Sequence, residues 1–119
     1  MTGRLTTHVL DISIGKPASG VLVELVRYGP NKEIESIRIS YTNEDGRLNH
    51  PLLEGENMKK GIYELYFHVG DYYRNRGTSA ENPSFLDCVP VRFGISDPDS
   101  HYHVPLLISP GGYSTYRGS

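Results

Sequence analysis

The sequence predicts an all-β protein, a sandwich of two sheets, on three observations. Apolar and polar residues alternate with period two through most of the chain, as they do in strands that bury one face. Clusters of Gly, Pro, Asn, Asp and Ser interrupt these runs at spacings of roughly 8–12 residues, which is typical of a sandwich. A single stretch, residues 70–80, is predicted to be helical, and only for a turn or two.

Seven or eight strands are predicted along the chain. Residues 15–20, with the sequence GKPASG, form a predicted turn, and Asp45-Gly46 in NEDG supplies the positive φ that a tight hairpin requires. Pro51 lies in a short run that suits an edge strand or a bulge. The runs predicted as strands cover residues 5–13, 21–28, 34–42, 47–53, 61–69, 86–96, 101–109 and 112–118.

The predicted helix lies in GDYYRNRGTSA, residues 70–80. Asp71 is expected to cap its start and Gly77 to end it. Tyr72 and Tyr73 are interpreted as residues of its packed face.

Alternation also predicts which side chains share a face of a strand. In residues 34–42 it places Ile37, Ile39 and Tyr41 on one side. It leaves the direction of His8 open, because His8 shares its face with the polar Thr6 and with the apolar Leu10 and Ile12.

The last predicted hairpin, HYHVPLLISPGGYSTYRGS, carries two histidines on an outward face. Its inward face is wholly apolar or aromatic and consists of Tyr102, Val104, Leu106 and Ile108. Its outward face consists of His101, His103, Pro105 and Leu107. Because proline and leucine beside histidine do not make a plain solvated surface, we expect another subunit or a ligand to cover this face.

Length, charge and cysteine content narrow the class of protein. The 119 residues suffice for a single domain, 1–119, and the net charge of −2 offers no basic excess for nucleic acid. No apolar run reaches the roughly 18–20 residues that span a bilayer, and the start lacks a signal-peptide core. The one cysteine, Cys88, allows no internal disulfide and is expected to be a buried, inert thiol. These features predict a cytoplasmic protein without nucleic-acid or membrane partners.

Three motifs, taken in order, carry a resemblance to a known family. LTTHVLD near the start, TNEDGR in the middle and HYHVPLLISPGGYSTYRGS at the end together resemble the transthyretin-like family, in its 5-hydroxyisourate hydrolase branch. The resemblance runs from residue 5 to residue 119. The final Tyr-Arg-Gly-Ser is its most specific element, because it separates the enzymes from the hormone carrier transthyretin, which shares the fold.

The resemblance implies a fold, an assembly and an activity. The fold would be a transthyretin-like sandwich of two four-stranded sheets with one short helix. The assembly would be a homotetramer, a dimer of dimers, with active sites in a channel between dimers. The activity would be hydrolysis of 5-hydroxyisourate to 2-oxo-4-hydroxy-4-carboxy-5-ureidoimidazoline, a step of urate and purine degradation, with no cofactor and no metal.

The resemblance implies catalytic roles for His8, Arg47, His103 and Ser119. Histidine is the natural base near neutral pH, so His8 and His103 are expected to position and deprotonate a water molecule. Arg47 presents a planar fork of donors that suits ring carbonyls and an oxyanion. Ser119 would contribute its hydroxyl or the chain-terminal carboxylate.

The resemblance also implies a set of substrate-binding residues. Tyr116 would stack on the heterocycle or hydrogen-bond to it, and Gly118 would let the backbone approach it closely. Arg117 belongs to the same set, with an ion pair expected to anchor the last residues of the chain. The full set is His8, Arg47, Tyr116, Arg117 and Gly118.

Three other functions stay open at this point. A transthyretin-like binding protein without catalysis would carry apolar or small residues where His8, Arg47 and Tyr116 stand. A zinc hydrolase would use the two histidines of HYH with a third histidine. A structural sandwich module would need no defined chain end. His50 is interpreted as a loop histidine, and His101 as a neighbour of the site at the channel mouth.

Overall fold

The structure is a computed structural model that describes residues 3–78 and 81–118. Ser119, a predicted catalytic residue, lies outside the described residues. Within them the chain forms nine strands, one α-helix and one short 3-10 helix. In chain order these are β1 (Arg4–Asp11), β2 (Lys16–Pro17), β3 (Leu22–Tyr28), β4 (Ile34–Tyr41), β5 (Leu53–Glu54), the 3-10 helix (Gly55–Asn57), β6 (Gly61–Phe67), α1 (Val69–Asn75), β7 (Val89–Ile95), β8 (Tyr102–Ser109) and β9 (Gly112–Thr115).

The strands form two sheets. The first has the order β2-β1-β8-β9, with β5 also paired to β1, and the second has the order β4-β3-β6-β7. β1 and β8 run parallel, whereas the other paired neighbours are antiparallel. The predicted sandwich is confirmed. Among the described residues its first sheet has five strands instead of four, because Lys16–Pro17, inside a predicted turn, pairs with β1.

The core lies between the two sheets and is built from alternate residues of each strand. In β8 the predicted inward face is confirmed, because all four of the residues on that face are buried: Tyr102, Val104, Leu106 and Ile108. Burial of such side chains stabilises the fold by about 25 cal/mol for each Å² of apolar surface removed from water. The largest fully buried side chains include Tyr63, Phe67, Leu5, Leu25, Leu52, Leu65, Ile95, Leu106 and Ile108.

A β-bulge changes the facing of β4. The pairing of β3 with β4 shifts by one residue between Leu25 and Val26. Ile37 of β4 is the extra residue and has no partner in β3. Ile37 packs against the core, whereas Ile39 and Tyr41 are 58% and 64% exposed. The prediction that these three residues share one face is wrong, because the extra residue of a bulge reverses the alternation beyond it.

The predicted strand over residues 47–53 is wrong for most of its length. Arg47 makes an isolated β-bridge with His8, and regular pairing of this segment with β1 is confined to Leu53–Glu54. Pro51 has no N–H to donate to a ladder. The side chain of Asn49 is held by a hydrogen bond from Asn43, which keeps this segment folded against the preceding turn.

Helix α1 begins at Val69 and ends at Asn75, close to the predicted helix. The prediction that Asp71 caps it is wrong, because His68 occupies the N-cap position and Asp71 instead pairs with Arg74 one turn later. Gly77 ends the helix as predicted, with a φ of 73° that favours glycine. In the described part of the chain, no helix is long and apolar enough to cross a membrane.

A buried carboxylate fastens α1 to β1. Asp11 has no exposed surface, and its side chain accepts hydrogen bonds from the hydroxyls of Tyr72 at 2.9 Å, Tyr73 at 2.8 Å and Ser13. Burial alone would raise the pKa of Asp11, but the hydrogen bonds from Ser13, Tyr73 and Tyr72 outweigh it and lower the pKa below the usual 3.8. The tyrosines of the helix face therefore bind a charge as well as pack.

Cys88 is only partly buried, against the prediction of a buried thiol. It precedes the edge strand β7, where the chain passes from a loop into the sheet. The burial that it does have, together with the nearby Asp87 carboxylate, raises the pKa of its thiol. A thiol with a raised pKa is a weak nucleophile at neutral pH, in line with the expected inert role.

Candidate active site

The parallel pairing of β1 with β8 brings two predicted histidines to one face. Thr6 lies opposite His103, and His8 lies opposite Pro105. The residues that alternate with His8 along β1 are buried, so His8 points away from the core and to the same side as His103. Tertiary pairing thus decides the direction that alternation left open.

The ring of His8 is oriented by a backbone carbonyl. Its Nε2 lies 2.8 Å from the carbonyl oxygen of Asp45. Because a carbonyl only accepts, Nε2 carries the proton and Nδ1 is the nitrogen that can accept one. Burial and the Arg47 guanidinium lower the pKa of His8 below its usual 6.5, so the ring is neutral at neutral pH.

Arg47 is placed by a turn that is tied to β1. Gly46 has a φ of 75°, and a Cβ on it would lie 2.3 Å from the carbonyl oxygen of Val9. Val9 donates its N–H to Gly46 at 2.8 Å, and the side chain of Asn43 accepts the N–H of Arg47 at 3.1 Å. The backbone of Arg47 thereby forms an isolated antiparallel β-bridge with that of His8. Among the described residues its guanidinium has no ion-pair partner.

His103 is held by its neighbour across the sheet. Its Nδ1 lies 2.8 Å from the hydroxyl of Thr6. Burial lowers the pKa of His103, and the charges of Arg47 and His8 lower it further. The Arg47 guanidinium therefore acts electrostatically on the imidazoles of His8 and His103, on the outer face of the first sheet.

The segment after β9 returns to this spot. Gly118 donates its N–H to the carbonyl of His103 at 2.7 Å and forms an isolated bridge with it. A Cβ on Gly118 would lie 2.6 Å from Cδ2 of the His103 ring, so only glycine fits without a shift. Tyr116 is 60% exposed, and the guanidinium of Arg117 donates to the carbonyl of His101. The structure thus brings together His8, Arg47, His103 and Gly118.

A cleft of about 450 Å³ opens beside these residues. Of the predicted site residues, Arg47 and His103 line it. Two further lining residues carry ionisable side chains that were not predicted for the site: Arg4, which shares the outward face with Thr6 and His8, and His50, interpreted from the sequence as a loop histidine. Alternation along β1 could have pointed to Arg4, whereas nothing in the sequence pattern marks His50. The cleft is lined by Arg4, Thr6, Thr7, Arg47, Leu48, Asn49, His50, Pro51 and His103.

The cleft has the groups needed to activate water beside a planar, carbonyl-rich ligand. It is lined by two guanidinium groups and by no carboxylate among the described residues, so it favours electron-rich oxygen atoms. His103, whose pKa is lowered by burial and by the charges of Arg47 and His8, lines the cleft and can accept a proton. Within residues 3–78 and 81–118, no three His, Cys, Asp or Glu side chains are grouped so that they could hold a metal ion.

Comparison with known proteins covers nearly the whole chain. A family model described as "HIUase/Transthyretin family" matches residues 5–118. A relative named 5-hydroxyisourate hydrolase 2, from Rhizobium meliloti (strain 1021), is 56% identical over 119 residues, which cover 99% of this chain and 98% of the relative.

Two solved structures are similar to the chain in both fold and sequence. The 5-hydroxyisourate hydrolase of Klebsiella pneumoniae has a TM-score of 0.82 and 37% identity, covering 98% of this chain and 99% of that one. The structure of (S)-allantoin synthase has a TM-score of 0.93 and 46% identity, covering 99% of this chain. The chain spans 44% of the length of that second protein.

Proposed function

The chain belongs to the HIUase/Transthyretin family, and on this premise we propose that it is an enzyme that hydrolyses 5-hydroxyisourate. The product is 2-oxo-4-hydroxy-4-carboxy-5-ureidoimidazoline. The observation that carries the proposal is the Arg47 guanidinium, unpaired within the described residues, beside two histidines whose pKa values are lowered.

The reaction adds water across a carbonyl–nitrogen bond of the substrate ring. His8 and His103 hold the water, and one of the two imidazoles takes a proton from it. The water oxygen then bonds to the carbonyl carbon, the ring C–N bond breaks, and the departing nitrogen receives the proton. Nδ1 of His8 suits the accepting role, because its Nε2 is engaged with Asp45.

Arg47 stabilises the negative charge that develops on the carbonyl oxygen. Its guanidinium is always protonated, and in the described part of the chain no carboxylate neutralises it. Burial is the largest cause of the lowered pKa values of His8 and His103, and the same positive charge lowers both further, which keeps the two rings ready to accept a proton. One group therefore serves both the oxyanion and the base.

The segment after β9 forms the rest of the pocket. Gly118 contributes its backbone against His103, and the exposed ring of Tyr116 is available to stack on the heterocycle. Ser119 follows directly in the chain and completes the proposed catalytic set.

Hydrolysis is favoured over ligand binding without catalysis. Three relatives that are 55–56% identical to the chain over 98–100% of its length carry the name of the hydrolase. A carrier would also have no use for the charged and ionisable groups of His8 and Arg47 on this face, where apolar contacts serve a bound ligand better.

The proposed assembly is a homotetramer, a dimer of dimers. The apolar residues on and around the outer face of the first sheet support it: Leu10 and Leu107 are partly exposed there, and Ile12 and Ile14, just beyond β1, are 57% and 41% exposed. A second copy of the chain would bury this surface and enclose the cleft.

The proposed location is the cytoplasm. Cys88 is the one cysteine of the chain, so no internal disulfide is available to it. Proteins of the cytoplasm are held in a reducing environment and seldom rely on disulfides.

The proposal is tested by following the ultraviolet decay of 5-hydroxyisourate, generated from urate with urate oxidase. We expect the protein to accelerate the decay over the spontaneous rate and His103→Asn to abolish most of that acceleration. A chelator-treated preparation serves as the control for a zinc enzyme. No acceleration by the wild-type protein would reject the hydrolase.

The pH dependence of kcat/KM provides a second prediction. The pKa values of His8 and His103 are both lowered from 6.5, so the neutral, base-competent forms persist to lower pH than for free histidine. We expect kcat/KM to be flat near neutral pH and to fall in acid, with a midpoint below 6.5. A midpoint above 6.5, measured at constant ionic strength, would contradict the proposed base.

A further inference from the structure

Segment 116–118 is weakly attached by its backbone. β9 ends at Thr115, whose hydroxyl donates to the carbonyl of Pro105 at 2.7 Å. Pro105 has no backbone N–H and so cannot donate a hydrogen bond to this segment. Pairing with β8 resumes only at the isolated bridge between His103 and Gly118. Backbone pairing therefore holds this segment at a single point among the described residues.

The side chain of Arg117 provides a second attachment. Its Nη2 donates to the carbonyl oxygen of His101 at 3.0 Å, and its guanidinium carbon lies 4.1 Å from the centre of the Tyr102 ring. Such a cation–π contact combined with a charged hydrogen bond is stronger than either a neutral hydrogen bond or an apolar contact. We name these two contacts the Arg117 anchor.

The surface that receives the anchor is rigid. Tyr102 is 5% exposed, and its hydroxyl accepts the N–H groups of Ser96 and Asp97, both at 3.1 Å. The ring is thereby fixed at both ends, by the core and by the turn that precedes β8. A guanidinium stacked on it is held in place relative to β8 itself.

The anchor holds in place the backbone of Gly118, which packs against the His103 ring. Gly118 follows Arg117 directly, and its Cα is so close that a Cβ would lie 2.6 Å from Cδ2 of His103. Thr6 contacts the ring at Nδ1. The imidazole is therefore confined between Thr6 on β1 and Gly118 on the anchored segment.

We propose that Arg117 is a positioning residue: through the anchor it presses Gly118 against His103 and so fixes the orientation and solvation of that imidazole. The proposal rests on the proposed function for its effect on catalysis. It reassigns Arg117, which the sequence placed in the substrate-binding set, because its guanidinium is engaged with the carbonyl of His101 and the ring of Tyr102.

The anchor also has an electrostatic consequence. Burial is the largest cause of the lowered pKa of His103, followed by the charges of Arg47 and His8. If the segment detaches, water reaches the ring and the pKa rises toward its usual value, while Arg47 and His8 stay where they are. The pKa of His8 should not rise, because the burial of His8 does not depend on this segment.

The test combines four variants of the full chain. Arg117→Gln removes the anchor, Arg117→Lys keeps the charge without the planar fork, and Arg38→Gln removes an exposed arginine of the second sheet as the matched control. Gly118→Ala serves as a positive control, because it displaces the His103 ring directly. Each variant is checked for unchanged circular dichroism and assembly before use.

Two readouts are measured on each variant. The first is the pH titration of the His103 imidazole by NMR, assigned with His103→Asn. The second is the pH profile of kcat and KM for 5-hydroxyisourate. A misplaced catalytic group can cost about 10²-fold. We expect Arg117→Gln to raise the pKa of His103 but not that of His8, and to lower kcat by about 10- to 100-fold with little change in KM.

Arg117→Lys should recover part of the kcat loss, and Arg38→Gln should behave as the wild type. An unchanged titration of His103 in Arg117→Gln would overturn the proposal, as would a rise in KM alone, which would return Arg117 to substrate binding. If the wild-type protein has no hydrolase activity, the proposed function fails, but the NMR titration still decides the positioning role.

Discussion

Replacement of Arg47 with glutamine is expected to lower kcat/KM by about 10²–10³, the effect of removing one well-aimed donor to an oxyanion. The backbone of Arg47 forms an isolated β-bridge with that of His8. Among the described residues, no carboxylate forms an ion pair with the Arg47 guanidinium. The kcat/KM of Arg47→Lys should lie between those of the wild type and Arg47→Gln, because an ammonium group keeps the charge but loses the planar fork. The measurement is the decay of 5-hydroxyisourate at fixed pH.

The pH profile gives this prediction an independent readout. The Arg47 charge lowers the pKa of His8 and of His103, so its removal should raise both values and move the acid limb of kcat/KM to higher pH. Arg38→Gln, on an exposed position of β4, is the matched control. Arg47→Gln with wild-type kcat/KM would exclude Arg47 from the reaction.

Replacement of Asp11 with alanine is expected to lower the free energy of unfolding by about 3 kcal/mol, since it leaves two buried tyrosine hydroxyls without an acceptor. Asp11 is fully buried and accepts hydrogen bonds from Tyr72 and Tyr73. The change is measured by urea denaturation of the variant and the wild type at the same chain concentration.

A double-variant comparison separates the orphaned hydroxyls from general loss of packing. Tyr72→Phe and Tyr73→Phe, added to Asp11→Ala, remove the donors and should recover part of the lost stability. The stabilisation by Asp11 is present above pH 3.8 and is lost as the pH falls through its lower pKa in the folded state. The wild type and Asp11→Ala should therefore converge in acid. Equal stability at neutral pH would refute the role of Asp11.

The sequence predicted most of the fold because side-chain direction in a strand is a local property. The inward face of β8 followed from period two alone and is confirmed. The same rule failed at Ile37, where a bulge reverses the alternation. It failed again over residues 47–53, because only the partner strand decides whether an extended run becomes part of a sheet.

The sequence could name His8, Arg47, His103 and Gly118 as site residues, because their motifs stand in a fixed order along the chain. It could not say how they meet. Thr6 and His103 are 97 positions apart, and their contact depends on the parallel pairing of β1 with β8. Pairing of distant strands is decided by the packing of the whole sandwich, which no local pattern encodes.

The sequence by itself determined the class of fold, the outward face of the last hairpin and the residue types of the site, since these follow from alternation and from short motifs. Only the tertiary structure decided that Arg4 and His50 line the cleft, that His8 presents Nδ1, and that Arg117 turns to Tyr102. The physical reason is that a side chain's partners are set by elements brought together from distant parts of the chain.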